Sequence, residues 1–328
     1  MKAAVRDRYG GPEVVEIRDV DTPAPTGDQV LVRVRAASVN RADLDGLAPK
    51  PGFARLFMGR KAPKAAFQRV GVDAAGVVES VGAEVTRFKP GDPVFADLSS
   101  HGQGAFAEYV RAPERAFEPM APGMSFEHAA TLPHSAILAI QGLRRRDGRT
   151  VQPGEKVLID GASGNVGPFA VQIAKSMGAE VTGVARTEKL DFVRGLGADH
   201  VLDYTKVDYT KAPERYDWIL DTDSHHPLRR VRRALRPKGT YVTLGGTTGS
   251  IFAALVGGSL ISLFSDRWSG LLLWWKPFDP ADVRTLQDLV ATGQVKPVID
   301  RRYPLSEVVE ALRHVDDGRA RGKVVITA

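Results

Sequence analysis

Residues 157–167 constrain the fold of this chain more than any other segment. They read VLIDGASGNVG, a short apolar stretch that ends in a glycine-rich turn. In the next residues, 168–178, apolar side chains recur at the spacing of a helix with one buried face. Strand, glycine turn and helix in this order form the fingerprint of dinucleotide binding, in which small side chains let the backbone approach a pyrophosphate at the helix N-terminus. The spacing Ala162-x-Gly164-x-x-Gly167 keeps two of the three fingerprint glycines.

Strands and helices alternate after this fingerprint. Alternation of this kind predicts a parallel, doubly wound sheet, and therefore an α/β fold. The predicted strands are residues 180–186, 200–204, 216–221 and 240–245, and the predicted helices are residues 187–195 and 227–236.

The part of the chain before the fingerprint has a different pattern. Short strand-like segments at residues 29–38, 76–81 and 105–110 lie between turns rich in glycine and proline, which predicts an all-β first domain. The C-terminal part predicts helices and a final strand. These are helices at 281–291 and 306–315 and a strand at 323–326.

Composition sets further bounds. A chain of 328 residues is long enough for about two domains. It contains no cysteine, which excludes disulfides, thiolate zinc sites and cysteine nucleophiles. The first residues lack the long apolar core of a signal peptide, so we expect a cytoplasmic protein.

The most apolar region is residues 251–275. Asp266 and Arg267 interrupt it, together with several glycines and serines, so we expect no membrane span there. Its Trp268, Trp274 and Trp275 are more aromatic than a surface loop requires. We therefore expect a homodimer that forms through this region; the alternative is a cover for the substrate pocket of a monomer.

The net charge of +6 raises the question of nucleic acid. The densest basic segments are residues 144–146 and 229–236. In the second, Leu228, Val231 and Leu235 form an apolar stripe and the arginines cover the opposite face. Because no aromatic residues are interleaved for base stacking, the pattern favours a solvated helix face over a nucleic-acid contact.

Six segments along nearly the whole chain carry recognisable signatures. They are, in order, residues 38–43 (SVNRAD), 71–82 (GVDAAGVVESVG), 88–94 (FKPGDPV), 161–167 (GASGNVG), 196–204 (LGADHVLDY) and 320–325 (ARGKVV). These signatures resemble those of the medium-chain dehydrogenase/reductases, and within that superfamily the chain is most similar to the zinc-independent quinone oxidoreductases. The resemblance implies a chaperonin-10-like β-barrel domain, residues 1–122 completed by 268–328, into which a Rossmann NADP-binding domain, residues 123–267, is inserted.

The same superfamily contains zinc alcohol dehydrogenases, so the metal question must be decided on residues. Where those enzymes carry their first cysteine ligand this chain has Asn40-Arg41-Ala42-Asp43, and where they carry Gly-His-Glu it has Gly71-Val72-Asp73. The histidines show no pair at helical spacing. We therefore expect no metal. Without a Lewis acid to stabilise an alkoxide, reduction of a quinone or an α,β-unsaturated carbonyl is favoured over alcohol oxidation.

The end of the second Rossmann strand indicates which cofactor binds. An NAD site places Asp or Glu there, whereas this chain has Arg186, with Lys189 one turn further on. These cations favour the 2′-phosphate of NADPH, and the alternative is a solvated arginine at a strand end. The resemblance places Tyr204 beside the adenosine ribose phosphate; a half-buried tyrosine at a strand end is the alternative. The expected cofactor-binding residues are Ser163, Gly164, Asn165, Val166, Gly167, Arg186, Lys189, Tyr204, Gly245 and Arg321.

Asn40 and Asp43 are two candidate catalytic residues. Asn40 matches a family position where its amide can hydrogen-bond an acceptor carbonyl; a turn-forming asparagine is the alternative. Asp43 could act in the same way only when protonated, and otherwise we expect it to pair with an arginine.

His134 is the third candidate. It lies in residues 132–139, which match a helix start that faces the nicotinamide in the family, although Leu138 replaces the usual threonine. Ser135 is a further polar candidate in this segment. Residues 44–70, where family members often carry tyrosines, contain none. We therefore expect the proton to come largely from solvent.

Two other classes of function must be weighed. A serine hydrolase also carries a serine at a sharp turn between strand and helix, but the required Gly-x-Ser-x-Gly around Ser163 fails because residue 165 is asparagine. A non-catalytic protein that binds NADPH and contacts RNA through a basic surface is the alternative function.

Overall fold

Contacts divide the chain into two compact units. The computed structural model describes residues 1–49, 55–222, 224–246, 249, 266–272 and 275–328. Unit 1 comprises Met1–Ser135, Pro277–Gln287 and Ile299–Ala328, and unit 2 comprises Ala136–Lys276 and Asp288–Val298.

The strands and helices of the described residues are numbered in chain order. The strands are β1 (Lys2–Val5), β2 (Glu16–Asp19), β3 (Gln29–Val39), β4 (Asp73–Val81), β5 (Pro93–Asp97), β6 (Tyr109–Pro113), β7 (Phe117–Pro119), β8 (Lys156–Asp160), β9 (Glu180–Ala185), β10 (His200–Asp203), β11 (Tyr216–Asp221), β12 (Leu235–Thr243), β13 (Trp268–Leu271), β14 (Ile299–Pro304) and β15 (Lys323–Thr327). The helices are α1 (Arg41–Leu47), α2 (Arg55–Met58), α3 (Phe126–Thr131), α4 (Pro133–Gly142), α5 (Gly167–Ser176), α6 (Leu190–Gly195), α7 (Leu228–Arg233), α8 (Pro280–Ala291) and α9 (Val308–Asp316).

Unit 1 is built on a seven-stranded sheet. Its order is β14-β15-β3-β4-β5-β7, and β6 also pairs with β3. Strand β3 alternates buried valines with the exposed Arg33 and Arg35, the pattern of a strand with one face in the core. Strand β15 pairs antiparallel with β3 so that Val324 lies opposite Val39. This register brings Lys323, at the start of β15, next to the residues that follow β3.

Unit 2 contains the parallel sheet that the alternation of strands and helices predicted, and this sheet has six strands. All its strands are parallel, in the order β10-β9-β8-β11-β12-β13. The central strands β8 and β11 bury most of their residues, as expected where helices cover both faces of a parallel sheet. In the register Asp160 lies opposite Val184, and Ala185 opposite Asp203. The residues that follow β8, β9 and β10 therefore meet at one edge, where parallel sheets bind ligands.

The division into units differs from the expected domain limits at three places. Asp288–Val298 lies in unit 2 rather than in the first domain. Unit 1 extends to Ser135 rather than to residue 122, because α3 packs on β3 and β4. Residues 268–276 belong to unit 2 rather than to the first domain, because β13 pairs with β12.

The structure describes the basic helix but not most of the apolar region. In α7, Val231 is buried, whereas Arg229, Arg230 and Arg233 are exposed. Most of the region expected to form the dimer contact, including residues 251–265 and Trp274, lies outside the described residues. Within the described part of the chain, no helix has the length and apolar character needed to cross a membrane.

Candidate active site

The glycine turn of unit 2 connects β8 to α5. Gly161 has a φ of 79°, a left-handed conformation that glycine adopts without steric cost. A Cβ atom on Gly167 would lie 2.3 Å from the Gly161 carbonyl oxygen and 2.5 Å from backbone atoms of Ala162. A Cβ on Gly164 would meet only the Gly161 oxygen, at 3.5 Å. Gly167 is therefore required for the packing of α5 on the turn, whereas the space beside Gly164 leaves room for a phosphate to approach.

The other expected residues of this loop complete the turn. Ser163 is buried, and Asn165 and Val166 are half-buried immediately before α5. Gly245 follows β12, where its carbonyl oxygen accepts a hydrogen bond from the Thr243 hydroxyl at 2.8 Å. Arg321 belongs to unit 1, in which it is exposed, and its role in cofactor binding stays a prediction.

Arg186 and Tyr204 form a pair at the carboxyl edge of the sheet. The Arg186 Nε donates a hydrogen bond to the Tyr204 hydroxyl at 2.9 Å. This bond raises the pKa of the Arg186 guanidinium above its usual value. Both side chains are exposed, and Tyr204 is 51% accessible. Lys189 differs from the expectation because it is buried, at 7% exposure. Of the two expected cations, the accessible one is therefore Arg186.

Two carboxylates lie near Arg186 that the end of β9 alone does not reveal. The Glu188 Oε1 is 3.9 Å from the Arg186 Nε. Asp203, at the end of β10, accepts hydrogen bonds from the hydroxyls of Thr187 and Thr205. These bonds, with the burial that opposes them, lower the pKa of Asp203 to about 2. The hydrogen bonds from neighbouring hydroxyls thus favour the ionised form of Asp203.

Asn40 lies at the centre of a buried polar cluster in unit 1. Its Nδ2 donates to Asp73 Oδ2 at 2.8 Å and to the Ser38 carbonyl oxygen at 3.3 Å. Its Oδ1 accepts from Ser135 Oγ at 2.8 Å. Both amide hydrogens are therefore already donated within the protein, and Asn40 has none left for an acceptor carbonyl. It also precedes α1 as the N-cap residue, which corresponds to the structural alternative rather than to direct contact with a substrate.

Asp43 is buried in the first turn of α1. Its Oδ2 accepts from the backbone N–H of Asn40 at 2.7 Å, and its buried Oδ1 has no hydrogen-bond partner among the residues that the structure describes. The expected pairing with an arginine is therefore wrong. Burial raises the pKa of Asp43 to about 7, against the stabilising bond from Asn40. A substantial fraction of Asp43 is protonated near neutral pH.

His134 joins the cluster through two aspartates. Its Nδ1 lies 3.0 Å from Asp97 Oδ2, and its backbone N–H donates to Asp73 Oδ1 at 3.1 Å. Burial opposes the protonation of His134, but Asp97 and Asp73 outweigh it and raise the pKa of the imidazole. Burial also acts against ionisation of Asp97, but the His134 charge and hydrogen bond hold the pKa of that carboxyl below its usual range. The pair thus favours an imidazolium beside a carboxylate.

Lys323 is a member of the cluster that the motifs did not indicate. Its Nζ donates to Asn40 Oδ1 at 2.6 Å and to Ser135 Oγ at 3.0 Å, and it lies 3.6 Å from Asp73 Oδ2. The signal in the sequence was indirect: a lysine in a strand of otherwise apolar residues, 323–326. Lysine is almost never fully buried unless it is paired, so its place in this strand implies buried acidic partners.

Comparisons with known proteins agree with the architecture. The model of the alcohol dehydrogenase GroES-like domain matches residues 26–122, and that of the zinc-binding dehydrogenases matches residues 196–326. The chloroplastic quinone-oxidoreductase homolog of Spinacia oleracea is 33% identical over 97% of this chain and 95% of its own length. The chloroplastic NADPH-dependent alkenal/one oxidoreductase of Arabidopsis thaliana is 30% identical over 99% of this chain and 79% of its own length. The structure of the quinone oxidoreductase from Coxiella burnetii superposes with a TM-score of 0.87 at 26% identity, covering 100% of this chain and 99% of the other.

A zinc ion does not fit the residues that stand where zinc alcohol dehydrogenases hold theirs. Zinc prefers thiolate, imidazole and carboxylate ligands. Val72 has no side-chain ligand atom, and both the Asn40 Oδ1 and the Asp73 carboxylate are already engaged with the Lys323 ammonium. Over the described ranges, no group of three or more His, Asp or Glu side chains is arranged to hold a metal ion.

The two glycines of the turn give a first prediction. We expect Gly167→Ala to lower the free energy of unfolding by about 1–3 kcal/mol or more, because backbone atoms must move to accept the Cβ. Gly164→Ala is the matched control and should leave stability nearly unchanged. Thermal and urea unfolding of both variants measure the difference, and equal stabilities would contradict the packing role of Gly167.

Asp43 gives a second prediction, which concerns pH. Its pKa in the folded state lies above its unfolded value, so its contribution to stability is greatest at acid pH and is lost as pH rises through about 7. Between pH 5 and 8 the free energy of unfolding of the wild type should fall by roughly 2–3 kcal/mol more than that of Asp43→Asn. The difference accumulates at about 1.4 kcal/mol for each pH unit up to that pKa.

Urea unfolding at several pH values tests this expectation. Asp45→Asn is the matched control, because Asp45 is an exposed carboxylate on the same helix, paired with Arg41 at 3.3 Å. Its pH dependence should follow that of the wild type. If Asp43→Asn also follows the wild type, Asp43 is ionised throughout this range and the assignment fails.

Proposed function

The chain belongs to the quinone oxidoreductase branch of the medium-chain dehydrogenase/reductases, and we propose that it is an NADPH-dependent reductase of quinones or α,β-unsaturated carbonyls that works without zinc. The observation that carries this proposal is the pairing of a phosphate-accepting glycine turn with an exposed arginine at the end of β9. Both features belong to unit 2 and lie at the same edge of its parallel sheet.

NADPH fits these residues. The N-terminus of α5 and the space beside Gly164 suit a pyrophosphate, since helix N-termini attract anions. The Arg186 guanidinium, aligned by its bond to the Tyr204 hydroxyl, suits the 2′-phosphate. Ser163, Asn165 and Val166 would line the pyrophosphate. Gly245 follows β12, which is two strands away from β8, at the same edge of the sheet. When bound, NADPH supplies the hydride.

The substrate class follows from the chemistry that the residues support. The polar cluster of unit 1 places an ammonium against Asn40, in the segment that stands where zinc alcohol dehydrogenases carry their first cysteine ligand. No side chain there can stabilise an alkoxide as a Lewis acid does. An acceptor that is already electrophilic needs no such activation. A quinone that gains a hydride becomes a stabilised hydroquinone anion, which water protonates. Solvent can then provide the proton, in keeping with the absence of tyrosine from residues 44–70.

The roles of the candidate catalytic residues change in this proposal. Asn40 acts as a positioning residue, because its amide joins Ser38, Asp73 and Ser135 within the protein. Asp43 and His134 control the protonation of the cluster. The homodimer and the cytoplasmic location stay predictions.

Cofactor choice gives a third prediction. Removing the guanidinium in Arg186→Ala should weaken NADPH binding by tenfold or more and leave NADH binding nearly unchanged, because a charge-assisted hydrogen bond contributes roughly 1.5–3 kcal/mol. Titration of both cofactors into both proteins measures the effect.

Two further variants sharpen this test. Arg194→Ala removes an exposed arginine of the same unit that pairs with Asp191, and it should not change either affinity. Glu188→Gln removes the carboxylate 3.9 Å from Arg186 and should strengthen NADPH binding modestly. Equal affinity of the wild type for NADPH and NADH would refute the proposed preference.

The reaction itself is tested by the choice of acceptor. Oxidation of NADPH should be rapid with a quinone or an enone from a panel that also contains aldehydes, and it should persist after treatment with a strong chelator. Oxidation of simple alcohols with NADP⁺ should be slow. Fast alcohol oxidation that the chelator abolishes would show a zinc alcohol dehydrogenase instead, and NADPH binding without turnover of any acceptor would favour the non-catalytic alternative.

A further inference from the structure

Lys323 is the most completely buried cation of the unit 1 cluster. Its side chain is 1% exposed, and that of Asp73 is fully buried. Burial lowers the pKa of the Lys323 ammonium, whereas the aspartates Asp73, Asp43 and Asp97 act in the opposite sense. A lysine in such a place needs compensating partners.

The partners of the ammonium form a set of oxygen atoms that converge from different parts of the fold. They are the carboxamide Oδ1 of Asn40, at the start of α1, the hydroxyl of Ser135, in α4, and the carboxylate of Asp73, in β4. The ammonium itself arrives from β15. A carboxamide, a hydroxyl and a carboxylate oxygen around one positive charge make up a site for a small cation.

The charge also determines how Asn40 is oriented. With Oδ1 facing the ammonium, Nδ2 faces the Asp73 carboxylate and the Ser38 carbonyl. The opposite orientation would place the amide hydrogens against the ammonium and the amide oxygen against a carboxylate. One positive charge at this point therefore fixes one orientation of the amide, and through it the direction of the Ser135 hydroxyl.

We propose that the Lys323 ammonium is the resident cation of this cluster, that it fixes Asn40 and Ser135 in their orientations, and that a small alkylammonium ion takes its place when the side chain is shortened. Lys323 is thus a positioning residue for the reductase. This extends the zinc-free mechanism proposed above, but its main test uses stability and does not depend on turnover.

Three variants separate the charge of Lys323 from its bulk. Lys323→Met keeps most of the side-chain volume and removes the charge. Lys323→Ala opens a space that propylammonium matches, since this ion has the atoms that the substitution deletes. Lys89→Ala is the control, because Lys89 is a lysine of the same unit whose side chain is 82% exposed.

Chemical rescue is the principal measurement. Lys323→Ala should melt roughly 5–15 °C below the wild type, since removing one partner of a buried ion pair leaves an uncompensated charge. Propylammonium chloride should raise the melting temperature of this variant up to a plateau as its concentration increases. The uncharged 1-propanol, which has the same shape, should not. The wild type and Lys89→Ala should respond to neither compound.

The pH dependence of Lys323→Met gives an independent measurement. Without the ammonium, the pKa values of Asp73 and Asp43 in the folded state rise further above their unfolded values, so the stability lost through the substitution should grow as pH rises from 5 to 8. Asp97 and His134 face the same cluster, and removal of the Lys323 charge raises their pKa values too, which adds to the loss at high pH in the same sense. In the double variant Lys323→Met/Asp73→Asn, the added loss at high pH should shrink.

Two results would overturn the proposal. One is that 1-propanol rescues Lys323→Ala as effectively as propylammonium does. The other is that Lys323→Met has the stability of the wild type at every pH. If Lys323→Ala does not fold, the pH dependence of Lys323→Met and of the double variant decides between the outcomes.

In a reductase assay, propylammonium should restore kcat of Lys323→Ala without a matching change in KM for NADPH. Failure of the wild type to reduce any acceptor would contradict the proposed function and leave the stability results unaffected.

Discussion

The contact between the Lys323 ammonium and the Asn40 carboxamide joins the two ends of unit 1. The two residues are 283 positions apart in sequence, and the 2.6 Å between their polar atoms depends on the antiparallel pairing of β15 with β3. Ser135 meets the same two groups from α4. A polar group buried at this depth is costly unless every partner is present, so the cluster requires the strands and the helix to arrive in one register.

Unit 2 depends on a different kind of constraint, a close approach of backbone to backbone. The 2.3 Å that would separate a Gly167 Cβ from the Gly161 oxygen shows how tightly α5 is seated on the turn after β8. This seating directs the N-terminus of α5 to the edge of the sheet where Arg186 and Tyr204 lie on the neighbouring strands. A fold constraint that involves no charge thus creates the place where a charged cofactor can bind.

Local patterns in the sequence were sufficient for most elements of unit 2 and insufficient for the cluster of unit 1. The predicted strand 216–221 coincides with β11, and the predicted strand 180–186 differs from β9 by one residue, because both rest on patterns that neighbouring residues carry. The helix predicted to reach residue 236 ends at Arg233 instead, since Leu235 pairs with Tyr216 and begins β12. The role of Lys323 could not be predicted locally, because its partners come from distant segments of the chain.

The charges of the cluster explain why a monovalent cation suits it. Asp43, Asp73 and Asp97 face the two basic groups Lys323 and His134. With all five groups ionised the cluster would carry a net negative charge out of water, which is unfavourable. A proton on Asp43, whose pKa is about 7, leaves two carboxylates against two cations and makes the cluster neutral. A divalent ion in place of the ammonium would add a positive charge that only ionised Asp43 could balance, and the burial of Asp43 opposes that ionisation.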